Sequence, residues 1–425
     1  MSARSADPSI ASSGASVLLK DFVVAEQAAA KSWRADWIAL AVGLLVLLIP
    51  FSATFQHGAT QMDEGTLLVY PEMVQRGAIP YRDFETFYGP ANTYLLAAVY
   101  TVSGVRIEAE RVVGLCYRVL ILVALFGTTR RWGTGMATAC MFIAGMLLLP
   151  SGVAAFAWYG ALACAIYCIW AMINPEPWRC FVGGWFAATA AMFRPDIGPA
   201  TMLVALILIW PLLRSQQAKF GIGVIIGLSP LAVISYAAGP VQLFNNLFLY
   251  PVTLSAPARR LALLTAEPTL LRLFFAQLAA AIVNIVAAVL AVKARPSGRR
   301  ERAFLALAIL GAGIIPQAWQ RLDLTHLFFV VFLIIGLLPL SIYFLAARKS
   351  ENRRRRWLVL ASAAAVVFFL AALAPSLPTS DFALFGEALR TSLAGSVSVQ
   401  RGSRSFPVGS PQQVVEVGRM LDTLE

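Results

Sequence analysis

Residues 56–90 read QHGATQMDEGTLLVYPEMVQRGAIPYRDFETFYGP and come straight after an apolar run at 37–55. Within them stand the carboxylates Asp63, Glu64, Glu72, Asp83 and Glu85 and the arginines Arg76 and Arg82, although charged residues make up only 13% of the chain. A sequence so sparing with charge that sets an acidic pair, Asp63-Glu64, where it leaves an apolar span marks a candidate chemical site.

The same stretch predicts its own local structure. Asp63 and Glu64 open a helix expected to reach Gln75, with Tyr70, Pro71 and Met73 giving it an apolar side suited to the membrane surface. Gly77, Pro80 and Gly89-Pro90 are turn signals. Residues 91–103, ANTYLLAAVYTVS, are apolar but too short to cross upright, and they read as a second interfacial helix.

Composition extends this to the whole chain. At 59% hydrophobic residues and a mean hydropathy of +0.73 over 425 residues, the sequence is well above the ~45–50% apolar share of soluble proteins. It is an all-α polytopic membrane protein. Apolar runs of about 17–25 residues read as spans, and shorter ones as tilted or partly buried helices, give about eleven transmembrane helices, at 37–55, 106–127, 135–150, 153–173, 181–193, 199–213, 220–238, 271–292, 303–317, 327–347 and 357–375. Residues 1–35 form a polar, Ala/Ser-rich leader without the apolar core of a cleavable signal. Residues 36–375 form the membrane domain, with its candidate catalytic loop at 56–104, and 376–425 a short tail.

A net charge of +12 would suggest nucleic acid in a soluble chain, but its distribution points to topology and no nucleic-acid partner. With the N-terminus inside, Arg130, Arg131, Arg179, Arg214, Lys219 and the basic residues of 293–302 and 348–356 all face the cytoplasm. Reversing the chain would translocate the run Arg353 to Arg356. The cysteines, Cys116, Cys140, Cys164, Cys168 and Cys180, fall in or beside spans without paired spacing or neighbouring histidines. They read as packing residues rather than disulfides or metal ligands.

That topology returns later polar residues to the face that carries Asp63. The span at 181–193 runs into Arg194, Pro195 and Asp196, and the span at 303–317 is followed by Arg321, Leu322, Asp323, Leu324, Thr325 and His326. Charges gathered at one surface must reach the interface or line a polar cavity.

These residues resemble a known family. An Asp-Glu pair after the first span (Met62-Asp63-Glu64-Gly65), then Gly77-Ala78-Ile79-Pro80-Tyr81-Arg82-Asp83-Phe84 and Gly89-Pro90 before a short apolar helix, looks like the GT-C superfamily of integral-membrane glycosyltransferases, nearest its protein O-mannosyltransferase and aminoarabinose transferase branch. The later RPDIG and QRLDLTH segments look similar to outer-face elements of bacterial members. The order of elements matches over about 37–375, while the specific motifs occupy roughly 30 residues.

The resemblance implies a GT-C-type bundle with interfacial helices in the first extracytoplasmic loop. It also implies an enzyme that moves a sugar from a polyprenyl-phosphate donor to an acceptor hydroxyl on a glycan, lipid or protein, with inversion. In that chemistry Asp63, by carry-over of the family's first acid, is the candidate general base, and Glu64 positions it or the acceptor. Arg194 and Arg321 are candidates to hold the leaving phosphate, whose charge grows in the transition state. Asp196 and Asp323 would orient them, with His326, Tyr81, Arg82 and Asp83 in support. No cofactor is firmly implied beyond the lipid-linked donor. A divalent cation at Asp63 and His326, or at His326 with Asp323 on one helix face, is a further expectation.

Plainer readings stand beside these. Asp63 and Glu64 fit the first turn of any surface helix, the two Arg-x-Asp pairs could simply fix helix ends, and Asp83 and Glu85 could be loop-structuring partners of Arg76 or Arg82. Arg111 and Arg118 share a face of the second span, where they could meet an acid or lipid phosphate. The outer loop at 239–270, with Asn245, Asn246, Tyr250, Arg259 and Arg260, is a lid or a connector. In the tail, residues 396–400 are strand-like and 410–424 helix-like, an incomplete α/β unit that docks on the membrane domain or continues past Glu425.

Two other function classes compete with the enzyme: a non-catalytic polytopic lipid-binding protein, and a transporter, which should show related halves and midplane charges. The resemblance and the absence of eukaryotic sorting signals point to a bacterial inner membrane, N-terminus cytoplasmic and C-terminus extracytoplasmic.

Overall fold

The structure is a computed structural model and describes residues 33–55, 61–255, 267–346, 397–401 and 404–408. The span expected at 357–375, the leader up to residue 32, His57, Arg259, Arg260 and the tail helix expected at 410–424 lie outside the described residues.

The chain rises in α1 (Trp33–Thr54), lays down α2 (Gln61–Gln75) and α3 (Pro90–Ser103), and re-enters in α4 (Ile107–Thr129). There follow α5 (Thr134–Leu148), α6 (Ala157–Ile173), α7 (Pro177–Phe193), α8 (Gly198–Ile209), α9 (Arg214–Ala238) and the short α10 (Pro240–Phe244). After two wide turns, Asn245–Leu249 and Pro251–Ser255, come α11 (Pro268–Ala294), α12 (Arg299–Gly313), α13 (Ile315–Gln320), α14 (Leu324–Gly336) and α15 (Leu338–Ala346). Beyond them β1 (Val397–Arg401) pairs antiparallel with β2 (Arg404–Val408).

Local signals set the helix starts. Proline at the first turn, where no N–H is needed, begins α3, α7 and α11. Asp323 caps α14 by accepting from the His326 N–H at 2.9 Å.

Among the described residues seven helical segments are long and apolar enough to cross a membrane: Arg34–Phe51, Ile107–Trp132, Thr134–Ser151, Arg214–Ala238, Pro268–Ala294, Arg299–Gln320 and Leu324–Leu345. Three of the spans expected from sequence are shorter. Helix α8, with 12 residues, is about 18 Å long against a hydrocarbon core of about 30 Å, and α6 and α7 have 17 residues each. The eleven expected helices therefore divide, among the described residues, into seven long spans and three shorter helices, and the eleventh, at 357–375, lies outside them.

The fourth expected span also starts late. Residues 153–156 are non-helical, and α6 begins only at Ala157. The apolar run concealed this break because Val153, Ala154, Ala155 and Phe156 look like any other membrane residues.

Contacts between helix ends sort the bundle into two poles. At one, Asp36 of α1 takes the Arg130 guanidinium at 3.0 Å and the Thr134 hydroxyl at 2.5 Å, and Gln216 of α9 donates to the Pro175 carbonyl beyond α6 at 2.5 Å. At the other, α2 and α3 lie across the starts of α4 and α6 and the end of α7. The core between is apolar, with Trp158, Tyr159, Phe51, Phe274, Phe304 and Phe332 among its largest fully buried side chains.

Candidate functional site

The turn between α2 and α3 is tied by its own side chains. Asp83 accepts from the Ile79 N–H at 2.7 Å and from Arg82 Nε and Nη2 at 2.8 and 2.9 Å. The Arg82 guanidinium, with the Ile79 N–H, holds the Asp83 carboxyl down at about 2. Tyr81 adopts φ +71°, the left-handed region that bulky residues rarely enter. Its ring is buried against Ile234, Ala238, Leu243 and Leu247 of α9, α10 and the turn beyond, and its hydroxyl donates to the Tyr88 carbonyl at 2.8 Å. Burial pushes the Tyr81 phenol well up, so it stays a neutral donor. Tyr81, Arg82 and Asp83 thus shape the loop, and Arg76 pairs with Glu72 at 2.6 Å instead of with Asp83.

What this turn delivers is Tyr88-Gly89-Pro90. The Gly89 N–H donates to the Phe193 carbonyl at 3.1 Å. A Cβ at Gly89 would strike the backbone of Met192 and Phe193, so only glycine lets the loop settle on the end of α7.

That seat brings Tyr88 onto Arg194. The guanidinium carbon lies 4.9 Å from the Tyr88 ring centre and 5.2 Å from that of Trp158, so the group sits against two aromatic faces. Asp196 takes Arg194 Nε at 2.8 Å and Nη2 at 2.5 Å. The Arg194 side chain keeps 12% of its exposure. Among the described residues no side chain takes Nη1. A planar cation whose orientation is fixed in this way, with one N–H edge left over, is preorganised for an anionic oxygen.

The second Arg-x-Asp pair is built alike. Arg194 ends α7 at φ −145°, ψ 102° and Arg321 ends α13 at φ −143°, ψ 98°, each turning the chain into the next helix. Arg321 Nε meets Asp323 at 2.7 Å, and the His326 ring Nδ1 meets the other oxygen of the same carboxylate at 2.7 Å. Partial burial would raise the Asp323 carboxyl, but the His326 ring and N–H and the Arg321 guanidinium outweigh it and hold it below the usual range.

Trp158 links the two pairs. Its indole N–H donates to the Phe329 carbonyl at 2.9 Å and its ring stacks on Phe329, while His326 lies against Phe329 at 5.6 Å between ring centres. Arg194, Asp196, Tyr88, Asp323 and His326 thus stand at one pole, joined beneath by the buried rings of Trp158 and Phe329.

The acidic pair divides. Glu64 is buried in a two-pronged ion pair with Arg111, Nε–Oε1 3.0 Å and Nη2–Oε2 3.1 Å, and Arg111 also donates to the Phe55 carbonyl at 2.7 Å. Asp63 is exposed in the first turn of α2. On the face that continues from it, Thr66, Leu67 and Tyr70 line a cavity of about 20 Å³ shared with Tyr88 and Asn92. Helix α2 therefore links Asp63, through Thr66 and Tyr70, to the loop whose Tyr88 lies against Arg194. Among the described residues no three His, Cys, Asp or Glu side chains gather as a metal site.

Sequence reading missed Tyr88 and Trp158. Trp158 lies in an apolar run with nothing to distinguish it, whereas Tyr88, next to the Gly-Pro turn, carried a usable positional signal. Asn92, Glu110 and Tyr117 were also passed over, and all three are buried.

No family model and no curated protein sequence matches the chain. Among solved structures it is similar to the crystal structure of ArnT from Cupriavidus metallidurans bound to undecaprenyl phosphate, at 16% identity and a TM-score of 0.48, covering 84% of this chain and 75% of that one.

Proposed function

We propose that the chain is a membrane glycosyltransferase of the GT-C kind, taking a sugar from a polyprenyl-phosphate donor at the extracytoplasmic face. The observation that carries this reading is Arg194, set against the rings of Tyr88 and Trp158 and gripped by Asp196, with no side chain among the described residues on its Nη1.

Asp63 takes the proton of the acceptor hydroxyl as that oxygen attacks the anomeric carbon. The bond from the anomeric carbon to the phosphate oxygen breaks, the electron pair leaves with the polyprenyl phosphate, and the sugar is transferred with inversion. Arg194 neutralises the charge that grows on the leaving phosphate. Arg321, held by Asp323, is a second cation on the same surface. Glu64 acts through Arg111 to fix the helix that bears Asp63.

The reading is tested with purified protein in lipid, a panel of radiolabelled polyprenyl-phosphate sugars and an envelope extract as acceptor. Wild type should transfer label, and Asp63→Asn should lower the rate by about a hundredfold, the size of a lost general base. If a polyprenyl phosphate binds but no sugar moves with either protein, the chain is a lipid-binding protein and the enzyme reading falls.

A further inference from the structure

Residues 153–156 are a non-helical stretch inside a helical bundle, and side chains from two other helices grip them. Asn92 of α3 donates to the Ala155 carbonyl at 3.0 Å, and its own oxygen accepts from the Tyr117 hydroxyl of α4 at 2.8 Å. Glu110 of α4 accepts the Ala155 N–H. Arg118 of α4 donates to the Ala154 carbonyl at 2.9 Å and lies over the Tyr159 ring at 4.2 Å. Gly114 leaves the room that the Val153 carbonyl fills. All four gripping side chains are buried, Glu110 and Arg118 completely.

The stretch they hold leads directly into Trp158, one of the two rings against Arg194. The grip reaches Arg194 by a second path, because Tyr117 also packs edge-on against Phe193, ring centres 5.6 Å apart. Glu110 Oε2 and Arg118 Nε have no hydrogen-bond partner among the described residues. Ionisable groups buried this deeply in an apolar bundle are costly, and a segment needed only for packing would not require them.

We propose that Asn92, Glu110, Tyr117 and Arg118 form a clamp on residues 153–156 that positions Trp158, and through it Arg194. They are positioning residues for the anion site. The functional meaning of the clamp rests on Arg194 as the phosphate site, but the clamp itself can be judged separately.

The experiment uses the full chain in lipid nanodiscs. Tyr117→Phe, Glu110→Leu and the conservative Glu110→Gln, whose amide oxygen still accepts the Ala155 N–H, are compared with wild type. Hydrogen exchange is followed by mass spectrometry in peptides covering 153–160 and 190–198, and binding of a polyprenyl phosphate alone is measured in parallel. Exchange should rise at least fivefold in both peptides for Tyr117→Phe and Glu110→Leu, with a roughly tenfold weaker Kd, while Glu110→Gln stays within about twofold of wild type. Should Glu110→Leu fail to fold, Tyr117→Phe against Glu110→Gln decides the same question.

Unchanged exchange at 190–198 in the folded, loosened variants overturns the clamp even where Arg194→Gln abolishes lipid binding. If Arg194→Gln instead binds the lipid as wild type does, the reading of Arg194 falls, and the clamp is still decided by the exchange data.

Discussion

Arg194 has almost no conformational freedom left to lose on binding an anion. Two aromatic rings lie against it, and Asp196 takes two of its N–H groups. A lysine at this position would keep the charge but lose the fork that fits Asp196 and the flat face that stacks. Arg194→Lys should therefore lower donor-dependent transfer by about a hundredfold, the cost of losing one preorganised charge stabiliser. It should change the thermal unfolding midpoint little, because the neighbouring helix ends are also held by Gly89 and Phe193. Rates and unfolding curves measured on the same preparations check both halves. Transfer within about threefold of wild type would place the leaving phosphate elsewhere. Arg194 and Asp196 were legible in sequence because charge is rare here. The two rings that give the pair its geometry were not, since an aromatic residue in a membrane helix carries no mark of its purpose.

Between elements, the same limit appears in the pairing of α2 with α4. Sequence placed Arg111 and Arg118 on one face of a span and Glu64 at the head of a surface helix, yet nothing in their spacing joins residues 47 positions apart. Folding gives Glu64 to Arg111 and sends Arg118 to backbone carbonyls. The pair fastens α2, and with it Asp63, to the bundle. Glu64→Gln should leave the Arg111 charge uncompensated in a buried place and destabilise the protein by about 3–5 kcal/mol. The double variant Glu64→Leu with Arg111→Met, which removes both charges and fills the space, should recover most of that loss. Denaturation in mild detergent measures it. A single variant as stable as wild type would mean that α2 is held by apolar packing and that its hydrogen bonds to α3, such as Tyr100 to the Leu67 carbonyl at 3.1 Å, suffice.

For the whole molecule, alternation of the helices carries the candidates Asp63, Glu64, Arg194, Asp196, Arg321, Asp323 and His326 to one pole and Arg130, Arg214 and the 293–302 arginines to the other. Hydropathy made the long spans legible, and the basic residues gather at the helix ends of one pole, where they predict its side of the membrane. The break before α6 was not legible, because a residue buried by protein and one facing lipid have the same apolar composition. The pole that holds Asp36, Arg130, Arg214 and the 293–302 arginines is expected to face the cytoplasm, because insertion disfavours translocating clustered Lys and Arg. In that orientation the proposed site at the opposite pole, with Asp63, Arg194 and Arg321, would open to the outer leaflet. Two single cysteines in a chain freed of its five native ones test this. Arg82→Cys, on the exposed side of the loop, should react with a membrane-impermeant maleimide in intact cells, and Arg214→Cys, at the start of α9, only after lysis. The reverse pattern would turn the candidate site toward the cytoplasm, where a polyprenyl-linked sugar would have to be offered from the inner leaflet. The basic helix ends would then lie on the side that insertion disfavours.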